Sequence, residues 1–283
     1  MLTSNGYQLD ESPSRLGVME EVPDAERTDR EALWARLRRN GYLLLRNALN
    51  RDTVLAFRRY YFEQTRDSGL VDEHSDPALG VAGTGPIDLA RLRHALFSRV
   101  VPGELYRDFC SQPAIRDWYS WFLGADTFLH RRKILRHTRP LETGVGTATQ
   151  AHYDLVYLRE GTDRVLSSWI PLGACPISRG GLMYLEGSHR RVLQEEAEGR
   201  LKRPAASITA DLPALADEYD ARWLVADYQA GDMLVHSAHV VHASLDNVDA
   251  EGRMRLSTDI RYQRRDEPID WRWQRHWHEH DGL

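Results

Sequence analysis

Gln150-Ala151-His152-Tyr153-Asp154-Leu155-Val156-Tyr157 is the stretch on which the reading of this chain turns. β-branched and aromatic residues alternate with polar ones over a short run bounded by loop-like sequence, which predicts a strand over residues 150–158. Successive strand side chains point to opposite faces, so His152 and Asp154 project together while Tyr153 projects away. A nitrogen and an oxygen donor so placed address one metal ion, and a third donor is needed to close the site. The segment Gly231-Asp232-Met233-Leu234-Val235-His236-Ser237-Ala238-His239-Val240-Val241-His242 offers three histidines for that role. Two histidines and one carboxylate, with the remaining positions open, are what non-haem Fe(II) uses to activate oxygen.

A simpler account exists for each of these residues. An isolated His-x-Asp also fits a strand histidine satisfied by hydrogen bonds, and His236 and His239 fit core or rim residues bonded to backbone. His242 ends an apolar strand and enters Ala243-Ser244-Leu245-Asp246-Asn247, which makes it the expected third ligand. Beyond that turn, Arg253-Met254-Arg255-Leu256-Ser257-Thr258-Asp259-Ile260-Arg261-Tyr262 alternates again. If Met254, Leu256 and Ile260 face one way, then Arg253, Arg255, Ser257, Asp259 and Arg261 face the other. A cross-strand ladder of ion pairs on a solvated sheet accounts for Arg253 and Arg261. Arg255 and Ser257, two apart on one face, are the better candidates for a carboxylate clamp, because a guanidinium fork and a hydroxyl supply three donors to the distal end of a dicarboxylic co-substrate.

Working outward, short strands are expected at about 127–136, 150–158, 165–172, 182–186, 223–228, 232–236, 239–244 and 254–263. The first half reads differently. Thr28-Asp29-Arg30-Glu31 has the form of a capping box opening a helix that stops at Asn40-Gly41, Tyr42-Leu43-Leu44-Leu45 is a short buried strand, and Asn50 caps a helix running to about Arg66. Further helical patterns cover 89–100, 104–110 and 113–123. The glycine-rich interval 67–88 reads as a mobile loop, Gly180-Gly181 and Gly187-Ser188-His189-Arg190 as turns, and 195–220 as a helical insertion on the rim. The fold class is therefore mainly β with N-terminal helices, an antiparallel sandwich or jelly roll, in a single domain: an extended arm at 1–27, a helical layer at 28–123 and a β core at 126–264.

Composition removes several function classes. The chain has 283 residues, 42% of them apolar, which is ample for a core, and a net charge of −5, so nothing in its overall electrostatics favours nucleic acid or an anionic membrane. No apolar run approaches a bilayer span, and Met1-Leu2-Thr3-Ser4-Asn5-Gly6 lacks a secretory pattern, so a cytoplasmic location is expected. Cys110 and Cys175 are too few and too far apart for a disulfide framework, and are expected as buried thiols. The tail from Trp271 to His280 is expected to dock its tryptophans rather than capture metal, and His189 lacks a second donor at strand spacing.

Taken together, His152-Tyr153-Asp154, Trp169-Ile170-Pro171-Leu172, the run from Gly180 to Arg190, Gly231-Asp232, His242-Ala243-Ser244, Arg255-Leu256-Ser257 and, near the start, the run from Asn40 to Asn47 resemble the phytanoyl-CoA dioxygenase family. The order and spacing of these motifs cover most of the chain. The resemblance implies a double-stranded β-helix with a cupin-like core, in which His152, Asp154 and His242 bind Fe(II). It further implies a co-substrate, 2-oxoglutarate, touched by Trp169, Ser244 and Arg255 with Ser257 behind, and by Arg136 from the preceding strand. Relatives differ over whether the arginine at 253 or 255 is the clamp, and Arg255 is preferred here. Tyr153 departs from the smaller or amide side chain that many relatives carry beside the metal histidine. A carboxylate at Asp154, where similar-looking halogenases carry a small residue, points to hydroxylation or a related oxidation. The implied partners are a small-molecule substrate and molecular oxygen. Two other readings share the ligands or the fold: a jelly-roll binding protein without catalysis, and a zinc hydrolase.

Overall fold

The computed structural model describes residues 1–202, 204 and 206–279. Its first helices begin and end where local chemistry directs. The helix Arg30–Asn40 is capped by Asp29 rather than by Thr28, because the carboxylate of Asp29 accepts from the amides of both Glu31 and Ala32. It stops at Gly41, whose φ of 80° lies in the left-handed region; a Cβ there would sit 2.8 Å from His189 Nδ1. Asn50 caps Arg51–Thr65 by accepting from the Thr53 amide. The helical stretch at 89–100 starts as α over Leu89–His94 and widens to a π-helix over Ala95–Val100, and Glu104–Cys110 and Pro113–Leu123 follow.

The rest is mostly sheet. The larger sheet runs in the order Tyr42–Leu45, Met233–Ser237, Leu166–Pro171, Arg255–Arg264, Thr127–Leu129, with Ile134–Thr138 also paired to Arg255–Arg264. The smaller sheet runs His242–Ser244, Leu182–Leu185, Trp223–Val225, Leu16–Val18, antiparallel except for its last pair. Alternation along the strands divides the core in two. Leu43, Leu45, Met233, Val235, Leu256 and Ile260 pack with helix residues such as Leu33, Val54 and Phe57. Tyr42, Leu44, Leu234 and Trp169 point the other way and pack with Met183, Tyr184 and Leu224 of the smaller sheet, where Tyr42 stacks on Tyr184 at 4.7 Å. Polar side chains on the helix-facing side are satisfied by tyrosine hydroxyls, Ser168 by Tyr119 and Thr258 by Tyr106, each at 2.6 Å.

Several expectations are corrected. The strand over 150–158 shrinks to single bridges at Ala151 and His152, and the chain turns into a 3₁₀-helix at Asp154–Val156 because Tyr157 and Leu158 donate back to the Asp154 carbonyl. Residues 127–136 break into two strands around His130, and 239–244 keeps only His242–Ser244 after a turn. The N-terminal arm docks on the sheets: Leu16–Val18 joins the smaller one, and Ser4 Oγ donates to the Ser244 carbonyl at 2.7 Å. The 67–88 interval folds back on itself, with Leu70 and Val71 buried and Val81 bridged to Arg253. Arg58 ties it down, donating to the carbonyls of Ala78 at 2.7 Å and Leu79 at 2.8 Å. Gly187-Ser188-His189-Arg190 is the start of a helix, Ser188–Ala197, and a second helix, Leu212–Tyr219, completes the insertion, with Arg203 and Ala205 outside the described residues. In the tail Trp273 is buried and Trp277 packs on Phe97, whereas Trp271 is exposed; His280 lies outside the described residues.

No helix among the described residues is long and apolar enough to cross a membrane. Both cysteines are free and buried, and burial raises the thiol of Cys110 to about 12 and that of Cys175 to about 11.

Buried neutral histidines make stability pH-dependent. His130, bonded to Gln263 at 2.8 Å and to Gln274 at 3.0 Å, is lowered from 6.5 to about 4 by burial. The unfolded chain takes up this proton first, so the stabilisation is complete above about pH 6.5 and disappears as pH falls to about 4, on the order of 3 kcal/mol in all. Thermal melts of the metal-free protein from pH 7 to pH 4 should show a loss to which His130, His137, His152 and His242 all contribute, and replacing His130 with glutamine should remove its share and leave the rest.

Candidate metal centre

The two halves of the centre are joined through backbone. His152 and His242 exchange N–H···O=C bonds of 3.0 and 2.8 Å, which places the two histidines side by side with ring centroids 4.1 Å apart. Tyr153 remains extended, with φ −116° and ψ 151°, so the two-residue spacing still turns His152 and Asp154 to one side before the 3₁₀ turn begins. One donor atom from each of His152, Asp154 and His242 lies within 4.8 Å of the others, and all three residues are buried.

The imidazoles are presented in one tautomer. His152 Nδ1 lies 2.9 Å from the Gln150 carbonyl and His242 Nδ1 lies 3.0 Å from the Val240 carbonyl. A carbonyl only accepts, so each Nδ1 carries the hydrogen and each Nε2 keeps its lone pair for the centre. Burial lowers His152 to about 4 and holds His242 well below its ordinary value, so both rings are neutral and ready to ligate. Burial alone would raise Asp154, but the Arg261 guanidinium bonded to it outweighs burial and holds the carboxyl well below its usual range.

Around Asp154 stand Arg261 and His236, both already marked in the sequence, and Ser167, which was not. Ser167 donates to Oδ2, Arg261 Nη2 donates to Oδ1 at 2.9 Å, and His236 Nε2 is 3.6 Å from Oδ2 with its Nδ1 2.9 Å from the Tyr184 hydroxyl. His236 is thus next to the centre but outside the three-donor group, while His239 turns away to Glu196 at 2.6 Å. Ser167 was legible only as one of the residues on the strand carrying Trp169. Outer partners of this kind tune metal affinity about 10- to 100-fold. Ser167→Ala should weaken Fe(II) binding by that order in an anaerobic titration, with the melting temperature little changed.

His152 and His242 open into a cavity of about 110 Å³ whose wall includes Arg136, Trp169, Arg255 and Asp259. The alternation of the Arg255–Arg264 strand places Arg255, Asp259 and Arg261 on this wall. Arg255 donates to the Gly180 carbonyl at 2.8 Å and to Thr138 Oγ1 at 2.7 Å, while its Nε and the Ser257 hydroxyl are buried without a partner. Arg136 stands directly across the strand pair from Ser257. Ser244 accepts from the amide of Thr149, a wall residue, at 2.8 Å and retains a hydroxyl hydrogen to donate. Trp169 packs on Tyr228 at 4.9 Å. Arg253 belongs elsewhere: it pairs with Glu251 at 2.8 Å and lines a different cleft, beside Arg58 and Gly173. Tyr157, edge-on to His152, and Trp273 complete a wall that sequence spacing did not assign.

A buried pair of neutral histidines with a carboxylate, set in a cavity that carries unpartnered donors for an anionic ligand, fits a non-haem iron centre. Residues 37–255 match the model of the phytanoyl-CoA dioxygenase family, and the chain belongs to it. It is accordingly an oxidoreductase that works with iron and 2-oxoglutarate. Among characterised proteins it is similar to the 1-deoxypentalenic acid 11-beta-hydroxylase of Streptomyces exfoliatus, 27% identical over 83% of this chain and 81% of the relative, and to that of Streptomyces arenae, 26% identical over the same shares. Its fold resembles that of the non-haem α-ketoglutarate-dependent carbocyclase SnoK from nogalamycin biosynthesis, with a TM-score of 0.60, 21% identity and 88% of each chain covered. It also resembles EctD from S. alaskensis, with a TM-score of 0.56, 17% identity and 93% and 88% of the two chains covered.

Proposed function

We propose that this protein hydroxylates a small organic molecule, using Fe(II) held by His152, Asp154 and His242 and consuming 2-oxoglutarate and molecular oxygen. The observation that carries this reading is the convergence of those three donor atoms on one buried point, whose two histidines line the same cavity as Arg255 with its unpartnered Nε. On this reading the two packed sheets are the faces of a double-stranded β-helix, and the metal sits between them at one end.

When bound, iron and 2-oxoglutarate supply the oxidation, activating oxygen as the co-substrate loses carbon dioxide and becomes succinate. The chain supplies position. Arg255 receives the distal carboxylate of 2-oxoglutarate with Ser257 as a further donor, Arg136 and Trp169 line the same cavity, and Ser244 stands behind its wall residue Thr149 as a further co-substrate contact. Asp154 fills the position that a halide would need, which favours hydroxylation, as do the names of the Streptomyces relatives. No side chain is required as a general base.

The test is direct. Anaerobic protein with Fe(II) and 2-oxoglutarate should develop a weak visible charge-transfer band, and admission of oxygen should release succinate. A zinc hydrolase would bind zinc tightly and ignore 2-oxoglutarate; a binding protein without catalysis would form no succinate.

A further inference from the structure

Donors remain after the co-substrate is placed. Arg261 is 4% exposed and uses only Nη2, on Asp154; its Nε and Nη1 are buried without a partner, and so is the indole Nε1 of Trp273. Both residues line the same cavity as the metal histidines. Trp273 packs against the guanidinium, with Arg261 Cζ 4.3 Å and Arg132 Cζ 5.0 Å from the centre of the indole ring. Leaving several buried N–H groups unpaired costs about 1–3 kcal/mol each, more on a charged group, so an arrangement like this is built for an acceptor.

That acceptor is distinct from the far end of 2-oxoglutarate. Arg255 and Arg261 are six residues apart on one strand, about 20 Å at the backbone. Arg261 already touches Asp154, so its free edge lies beside the metal, away from the Arg255 clamp. Charge agrees with this. Three guanidiniums, Arg136, Arg255 and Arg261, face the carboxylates of Asp259 and Asp154. A ferrous ion and the 2-oxoglutarate dianion cancel each other, which leaves one positive charge in a site of low dielectric. Asp259 shares this wall, and burial raises its carboxyl.

We propose that the substrate is a monoanion, a small carboxylic acid whose carboxylate docks on Arg261 Nη1 and Trp273 Nε1. This rests on the iron and 2-oxoglutarate reading and names the chemical class that reading leaves open. Acid and amide pairs of equal shape isolate the charge. Cyclohexanecarboxylate against cyclohexanecarboxamide, and adamantane-1-carboxylate against its amide, would be titrated calorimetrically, without oxygen, into the full-length protein holding Fe(II) and saturating 2-oxoglutarate. The same pairs would be titrated anaerobically against the charge-transfer band. Each acid should bind roughly tenfold tighter than its amide or better, the usual scale of a charge-assisted pair.

Trp273→Phe keeps the ring and loses the N–H, and should erase most of the acid preference while 2-oxoglutarate affinity stays unchanged; Arg261→Gln should erase the preference too, with weaker Fe(II) binding because it also removes a bond to Asp154. Trp273→Phe leaves every bond to Asp154 in place, so it reads the donor and not the metal site. Equal binding of acids and amides, or none of either, overturns the proposal, as does a raised 2-oxoglutarate requirement in Trp273→Phe, which would hand these donors to the co-substrate. Absence of the band itself would instead overturn the iron and 2-oxoglutarate reading, and the calorimetric preference would still be measurable.

Discussion

His152→Ala is expected to abolish Fe(II) binding, and with it the charge-transfer band and succinate release. Removing this imidazole leaves one nitrogen and one carboxylate on the centre, and the geometry provides no ready replacement. His236 is the nearest histidine, yet its Nε2 points to Asp154 Oδ2 at 3.6 Å and its Nδ1 is engaged by Tyr184. The loss should exceed the 10- to 100-fold effect of an outer partner, and so fall on the order of a thousandfold or beyond. The backbone bridge between residues 152 and 242 does not involve the ring, so the variant should fold, which a thermal melt would check. Iron affinity within tenfold of the parent would mean that the centre is ligated by another set, with His236 as the first suspect.

Arg255→Met should raise the 2-oxoglutarate concentration needed for half-maximal turnover about a hundredfold, since a bidentate charged pair contributes roughly 1.5–3 kcal/mol and leaves a buried anion unpaired when broken. Fe(II) binding should be nearly unaffected, because Arg255 does not touch the metal donors. Arg255 also ties Gly180 to Thr138, so some loss of stability will accompany the substitution; the diagnostic readout is the co-substrate requirement of the folded fraction. The paired control is Arg253→Ala. Arg253 is partly exposed, held by Glu251, and faces another cleft, so its removal should leave the requirement unchanged. A hundredfold effect at Arg253 with none at Arg255 would transfer the clamp.

How far the chain could be read in advance varies by element. Asn50 and Gly41 work as punctuation because their chemistry is local: a side-chain acceptor for a free amide, and a left-handed φ that needs no Cβ. Alternation in Arg255–Arg264 forecast which side chains share a face, since the pleat allows no other arrangement. Alternation misled at 150–158, where backbone bonds within the segment curl it into a 3₁₀ turn two residues after the bridge. The first residues, which show no sustained period, read only as an extended arm; where that arm docks was not legible because Leu16–Val18 finds its partner, Trp223–Val225, more than two hundred positions away.

By itself the amino-acid order determined the chemical inventory: a His-x-Asp pair, a distant set of histidines, a charged alternating strand, and an overall charge that gives no reason to seek nucleic acid. That order also favoured His242 and Arg255 among the candidates, but only tertiary structure decided how the candidates sit relative to one another. It set His242 against His152, sent His239 to Glu196, left His236 beside the carboxylate, and turned Arg255 inward and Arg253 out. The physical reason is that a metal centre or an anion clamp depends on distances between segments remote in the chain, and those distances exist only once two sheets and a helical layer have packed their faces together.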